Sequence, residues 1–199
     1  MAEQVEGVVL AAGLSSRSAR YKMALPLGDK SVIERCVEGM VDTVSRIWVV
    51  VGWQAEQIQR LLARYDKVET ILNTRFREGM FSSVKAGIAR VRAPRFYLVP
   101  GDHPVIGPHV YARMLGAAGD IVIPTFEGKK GHPVLFRSHL IPEILAQPDG
   151  TTLRDYIASK GYVTVQVEDE GILLDIDTLE DYDAIRERIC AFGRDGVES

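Results

Sequence analysis

The sequence predicts an α/β protein, one domain built on a mostly parallel, twisted sheet with helices on both faces. Three observations predict it. Short, mostly β-branched apolar runs recur at 8–10, 47–51, 96–99, 121–123 and 134–136, each bounded by Gly, Pro or Asp. Helical stripes lie between the early runs. The runs are continuous rather than alternating, as expected of strands buried on both sides and joined by right-handed crossovers.

Taken in order, the run at 8–10 is the first strand. Ile33, Val37, Met40, Val41 and Val44 step by three and four and predict a helix, and the run at 47–51 is the second strand. A second helix carries Ile58, Leu61, Leu62 and Tyr65. A third is predicted to start at Ser82 or Ser83, after Gly79. The runs at 96–99, 121–123 and 134–136 continue the sheet. Residues 162–167 and 172–176 read as two strands around the acidic turn EDEG, an antiparallel excursion near the sheet's edge. Thr178 is the predicted N-cap of the last helix, with Glu180 and Asp181 in its first turn and a stripe of Leu179, Tyr182, Ile185, Ile189 and Phe192. Residues 1–192 are expected to form the single domain, and the polar stretch 193–199 to fray.

With 199 residues, 46% of them hydrophobic, the chain has the material for one substantial core. A net charge of -3 gives no general basic field, so extended nucleic-acid binding is not expected and any anion must be held locally. Cys36 and Cys190 belong to no CxxC or Cys/His cluster and read as small core residues, which suits a reducing compartment. Glu3 and Glu6 replace the basic flank of a signal peptide, and no apolar run approaches a membrane span. The expectation is a soluble, cytoplasmic protein that binds neither membrane nor nucleic acid.

In an open parallel sheet the ligand lies beyond the carboxyl ends of the strands, so the residues just after each strand carry the chemistry. Ala11, Ala12 and Gly13 follow the first strand and leave its backbone amides approachable; Arg17 and Lys22 add charge. Neither a Walker A motif nor a dinucleotide fingerprint is present, and the loop reads either as a phosphate cradle or as an ordinary turn with solvated cations. Asp102, in VPGDHPVI, is delivered to the sheet edge and suits Mg²⁺, or is a turn residue bonded to nearby amides. Ser82 and Ser83 open a helix whose free amides suit polar ligand groups, or merely cap it. Asp175 and Asp177 end a strand or cap the last helix.

Together and in order, LAAGLSSR with YKMALPLG, EGMFSSVKAG, GDHPVI, GHPVLF and DIDTLEDY resemble the motifs of the MobA-like nucleotidyltransferases of the molybdenum-cofactor family, over nearly the whole chain. The resemblance implies a glycosyltransferase-A-like, Rossmann-like fold and transfer of a nucleotidyl group to a phosphate with release of pyrophosphate. It assigns Leu10, Ala11, Ala12, Gly13 and Lys22 to the nucleotide loop and places Ser82 and Ser83 near ribose and base. Asp102 and Asp177 become the carboxylates that hold Mg²⁺ or Mn²⁺, and Arg17, Lys22 and Asp102 the catalytic set. Ala12 favours CTP over GTP, making the implied acceptor a molybdopterin-type phosphate and a molybdenum hydroxylase the eventual recipient. Ser18, Ala19, Phe81 and Leu179 depart from the family pattern. Lys129 and Lys130 lie toward the acceptor side on the same resemblance. A cytidylyl- or uridylyltransferase acting on a sugar or alcohol phosphate, or a non-catalytic cofactor-delivery protein, are the competing functions.

Overall fold

Both faces of the first strand are apolar because both are covered. In β1 (Val5–Ala11), Val5, Val9 and Ala11 enter one core cluster while Val8 and Leu10 enter the other. The first cluster lies under α1 (Val32–Val41), α2 (Ala55–Leu62) and α4 (Pro108–Leu115); the second under α3 (Met80–Ile88), α5 (Ile141–Leu145) and α6 (Leu153–Lys160). The computed structural model describes residues 4–13 and 21–194, with side chains of the last helix to residue 189.

Parallel neighbours of β1 are β4 (Arg46–Val51) on one side and β6 (Arg95–Pro100) on the other; β5 (Val68–Leu72) continues beyond β4 to the edge. On the far side β9 (Val134–Arg137) runs antiparallel between β6 and β7 (Ile121–Phe126), and β10 (Val163–Gln166) pairs parallel to β7 at the other edge. Two-residue strands complete the description: β2 (Pro26–Leu27) with β3 (Lys30–Ser31) in a small hairpin, and β8 (Lys129–Lys130) against β7. The expected mostly parallel sheet with helices on both faces is what forms.

Some local expectations are corrected. Residues 172–176 are not a strand: Glu170–Leu173 is a 3₁₀ turn, so no antiparallel excursion forms there, and β10 instead pairs parallel. The antiparallel strands of the main sheet are β9 and the two-residue β8. The third helix begins at Met80, two residues before Ser82, and β5 was not expected at all. The last helix, α7 (Leu179–Arg194), starts as expected, and Ile185 buries against Leu25, Leu27 and Val32, but Leu179 is exposed. Cys36 is buried in the core; the side chains of Cys190 and Phe192, and residues 195–199, lie outside the described set.

The approach of α3 to the sheet depends on Gly87. A Cβ there would lie 2.5 Å from Val8 Cγ1 and 2.9 Å from Val50 Cγ2, atoms of stiff β-branched side chains in buried strands. Gly87→Ala is therefore expected to destabilise the protein by about 1–3 kcal/mol as α3 is pushed off β1 and β4, measured by denaturant unfolding.

Candidate active site

Because β1, β4 and β6 run parallel in register, their carboxyl ends share one rim. Ala12, buried, and Gly13, exposed, follow β1 there, with no atom of the described residues within 4 Å of where a Gly13 side chain would start. At the end of β4, a Cβ on Gly52 would lie 2.9 Å from the Ala12 carbonyl oxygen and 2.8 Å from the Phe76 ring, so glycine permits β4 and Phe76 to close on the loop. The Tyr21 hydroxyl donates to the Ala11 carbonyl and ties the returning chain to the end of β1. Arg17 falls in residues 14–20, outside the described residues.

Lys22 opens a 3₁₀ turn, Lys22–Ala24, whose Met23 is buried in the core, which directs the neighbouring lysine to the rim. Its Nζ lies 2.8 Å from Asp102 Oδ2 and 3.0 Å from Asp177 Oδ1. Three expected site residues from distant parts of the chain thus meet at one ammonium. Asp102 follows β6, where the Gly101 amide donates to the Leu10 carbonyl at 2.9 Å. Asp177 is brought in by the Ile176 amide, which donates to the Asp102 carbonyl at 3.0 Å. Burial alone would lower the Lys22 pKa, but the charge and hydrogen bond of Asp102, then those of Asp177, outweigh it and hold the ammonium above its ordinary value. Asp175, beside them, has its carboxyl pushed up, chiefly by burial.

Asp102 Oδ1 is buried with no hydrogen-bond partner, whereas the Asp177 side chain is 61% exposed. An orphaned carboxylate oxygen on Asp102, with a second, solvent-accessible carboxylate sharing the same lysine, fits a hard divalent cation such as Mg²⁺, which takes one or two protein oxygens and completes its shell with water and phosphate. Among the described residues there is no group of three or more His, Cys, Asp or Glu placed to hold a metal.

The amide of Asp177 is fixed by α7's capping box. Asp181 Oδ2 accepts from the Asp177 amide at 3.1 Å, the Thr178 amide at 2.7 Å and the Thr178 hydroxyl at 2.8 Å. The hydrogen bonds from Thr178 hold the Asp181 carboxyl below its ordinary 3.8. Since the folded value is the lower one, the cap contributes fully above the ordinary carboxylate range and is lost as pH falls through the lowered value. Asp181→Ala is expected to cost at most about 1 kcal/mol at neutral pH, given its exposure, with the difference from wild type vanishing in acid; denaturation across pH checks this.

Ser82 and Ser83 lie in the first turn of α3, at the same edge of the sheet. Asn73, which follows β5 and is buried, donates through Nδ2 to Ser82 Oγ and Ser83 Oγ, both at 3.0 Å, and accepts the Arg75 amide at 2.9 Å. Ser82 Oγ also lies 2.8 Å from the Gly79 carbonyl oxygen. Beside them a cleft of about 220 Å³ is lined by Asn73, Arg75, Phe81, Ser82, Lys85 and Asp149 among others. Phe81, one of the departures from the family pattern, forms part of that wall and carries the Lys85 ammonium 5.2 Å from its ring centre.

A model of the MobA-like NTP transferase domain matches residues 7–165. The chain belongs to the MobA-like NTP transferase family. It is a nucleotidyltransferase, as its relatives are named. Molybdenum cofactor cytidylyltransferase of Escherichia coli (strain K12) is 27% identical over 185 residues, 92% of this chain and 96% of that protein. Among solved structures, Rv0371c of Mycobacterium tuberculosis H37Rv superposes with TM-score 0.80 at 25% identity, covering 94% of this chain and 99% of that one. A nucleotidyl transferase of Methanothermobacter thermautotroptrophicus shares the fold, with TM-score 0.83 at 22% identity over 95% and 99% of the two chains.

In this MobA-like transferase two features of the site escaped the sequence reading. One is Asn73, an unremarked polar residue after an unforeseen edge strand. The other is a pair of imidazoles in contact: those of His103, buried and next to Asp102, and half-buried His132 have ring centres 4.7 Å apart. Burial pushes both below the ordinary histidine value, His132 to about 3, so the His132 ring is neutral at pH 7. Lys130, expected toward the acceptor, donates to the Tyr162 hydroxyl at 2.8 Å, and Lys129 is exposed.

Proposed function

We propose that this MobA-like transferase moves CMP from CTP to the phosphate of a molybdopterin-type acceptor, releasing pyrophosphate. The convergence of Lys22, Asp102 and Asp177 on one point of the strand rim carries the reading. The printed name of the Escherichia coli relative and the Leu-Ala-Ala-Gly loop at 10–13 support cytidylyl transfer to this acceptor.

In the reaction an ionised phosphate oxygen of the acceptor forms a bond to the α-phosphorus while the bond from that phosphorus to the bridging oxygen of pyrophosphate breaks. The nucleophile arrives charged, so no side-chain base is needed and positioning with charge neutralisation suffices. Lys22 stays protonated, because its two carboxylates hold its pKa up, and supplies fixed positive charge to the triphosphate. Ala11, Ala12 and Gly13 offer backbone amides to phosphate oxygens, and Arg17 adds a second cation. Ser82 and Ser83, held by Asn73, face ribose and base. Asp102 and Asp177 would hold Mg²⁺ or Mn²⁺, which when bound would supply Lewis-acid stabilisation of the phosphate oxygens. The product would pass to a molybdenum hydroxylase in the cytoplasm; no helix among the described residues is long and apolar enough to cross a membrane.

Purified protein incubated with molybdopterin, Mg²⁺ and each NTP separately tests the reading through pyrophosphate release. CTP alone is expected to support turnover. Turnover with GTP would reverse the base assignment, and turnover with CTP only on sugar or alcohol phosphates would reassign the acceptor. Stabilisation of the fold by CTP, about 2.7 kcal/mol at a hundred times the dissociation constant, without any turnover would point to a delivery protein.

A further inference from the structure

Four buried side-chain atoms without a hydrogen-bond partner belong to three neighbouring residues: Asp102 Oδ1, His103 Nδ1 and Nε2, and His132 Nδ1. The two rings lie against each other, with centres 4.7 Å apart and planes tilted by 43°. The turn that carries His132 also grips the segment leading to Asp177. The His132 amide donates to the Ile172 carbonyl at 2.9 Å, and a Cβ on Gly131 would fall 2.2 Å from that same oxygen, so only glycine allows so close an approach. The Ile176 amide, donating to the Asp102 carbonyl at 3.0 Å, closes the circuit. One turn thus bears on both carboxylate segments, on 102–103 through a ring and on 172–177 through its backbone.

We propose that His132 is a positioning residue that, by packing on His103, sets the separation of the Asp102 and Asp177 carboxylates and thereby the affinity of the site for a divalent cation. This rests on the assignment of those carboxylates to a metal. Supporting groups one step removed from a metal typically change its affinity by about 10–100-fold when lost, and that is the size of effect expected here.

The test measures Mn²⁺ binding by the electron paramagnetic resonance of free Mn²⁺, with and without CTP, and CTP binding in EDTA. His132→Ala is expected to weaken Mn²⁺ binding at least about tenfold while metal-free CTP affinity stays at the wild-type level. His132→Phe, which restores a flat ring in an apolar setting, is expected to bind Mn²⁺ close to wild type. Wild-type Mn²⁺ affinity in His132→Ala, or equal losses in the Ala and Phe variants, would overturn the proposal. Should His132→Ala not fold, His132→Leu, which fills the space without a flat ring, is measured in its place with the same expected outcome. Asp102→Asn separates the two levels. If it keeps wild-type Mn²⁺ affinity, the metal assignment fails; if it loses Mn²⁺ while His132→Ala does not, only the positioning role fails.

Discussion

Asp102→Ala is expected to lower kcat for pyrophosphate release by about a thousandfold or more while leaving the thermal unfolding temperature near wild type. A loss of that size corresponds to about 4 kcal/mol, the order that a bound cation contributes to stabilising charge in a transition state. Stability is spared because one oxygen of this carboxylate is already buried without a partner, and the other's partner, Lys22, keeps Asp177 at 3.0 Å. Steady-state rates and a melting curve on the same preparation check both halves. Unchanged turnover would remove Asp102 from the reaction; a collapse of the fold would make its role structural.

For Lys22→Ala the expected results move in opposite directions. Without the ammonium, the triphosphate loses a charge-assisted partner, and kcat/KM for CTP should fall by about 10²–10³-fold. The same change leaves the Asp102 and Asp177 carboxylates facing each other with no positive charge between them, where each had lain within 3.0 Å of Nζ. Free protein should therefore bind Mn²⁺ more tightly than wild type, even as the enzyme slows. Calorimetric Mn²⁺ titration alongside initial rates distinguishes this from a simple loss of structure, which would weaken both. Equal Mn²⁺ affinity in variant and wild type would mean that lysine and metal do not share the two carboxylates.

The central strands were legible because burial on both faces leaves an unbroken apolar signature: β1, β4, β6, β7 and β9 all coincide with short apolar runs. Edges were not. In β5 Glu69 and Thr70 interrupt the pattern, since a strand with one neighbour tolerates half-exposed polar residues, and β10 showed its residues but not its direction. Residues 172–176 look like a strand by composition, yet Ile172 and Ile176 are buried by a 3₁₀ turn and an extended return rather than by pairing. At the site, Lys22, Asp102 and Asp177 were found through ordered motifs, while their distances depend on loop geometry that no periodicity encodes. The bonds of Asn73 to Ser82 and Ser83, and the packing of His103 on His132, join separate segments of the chain, so only the folded chain exposes them.

The meeting of Lys22 with Asp177 spans 155 residues of sequence. During synthesis the first loop emerges long before the acidic residue that meets its lysine, so under the proposed reading a chain halted ahead of Asp177 lacks one carboxylate of the cluster.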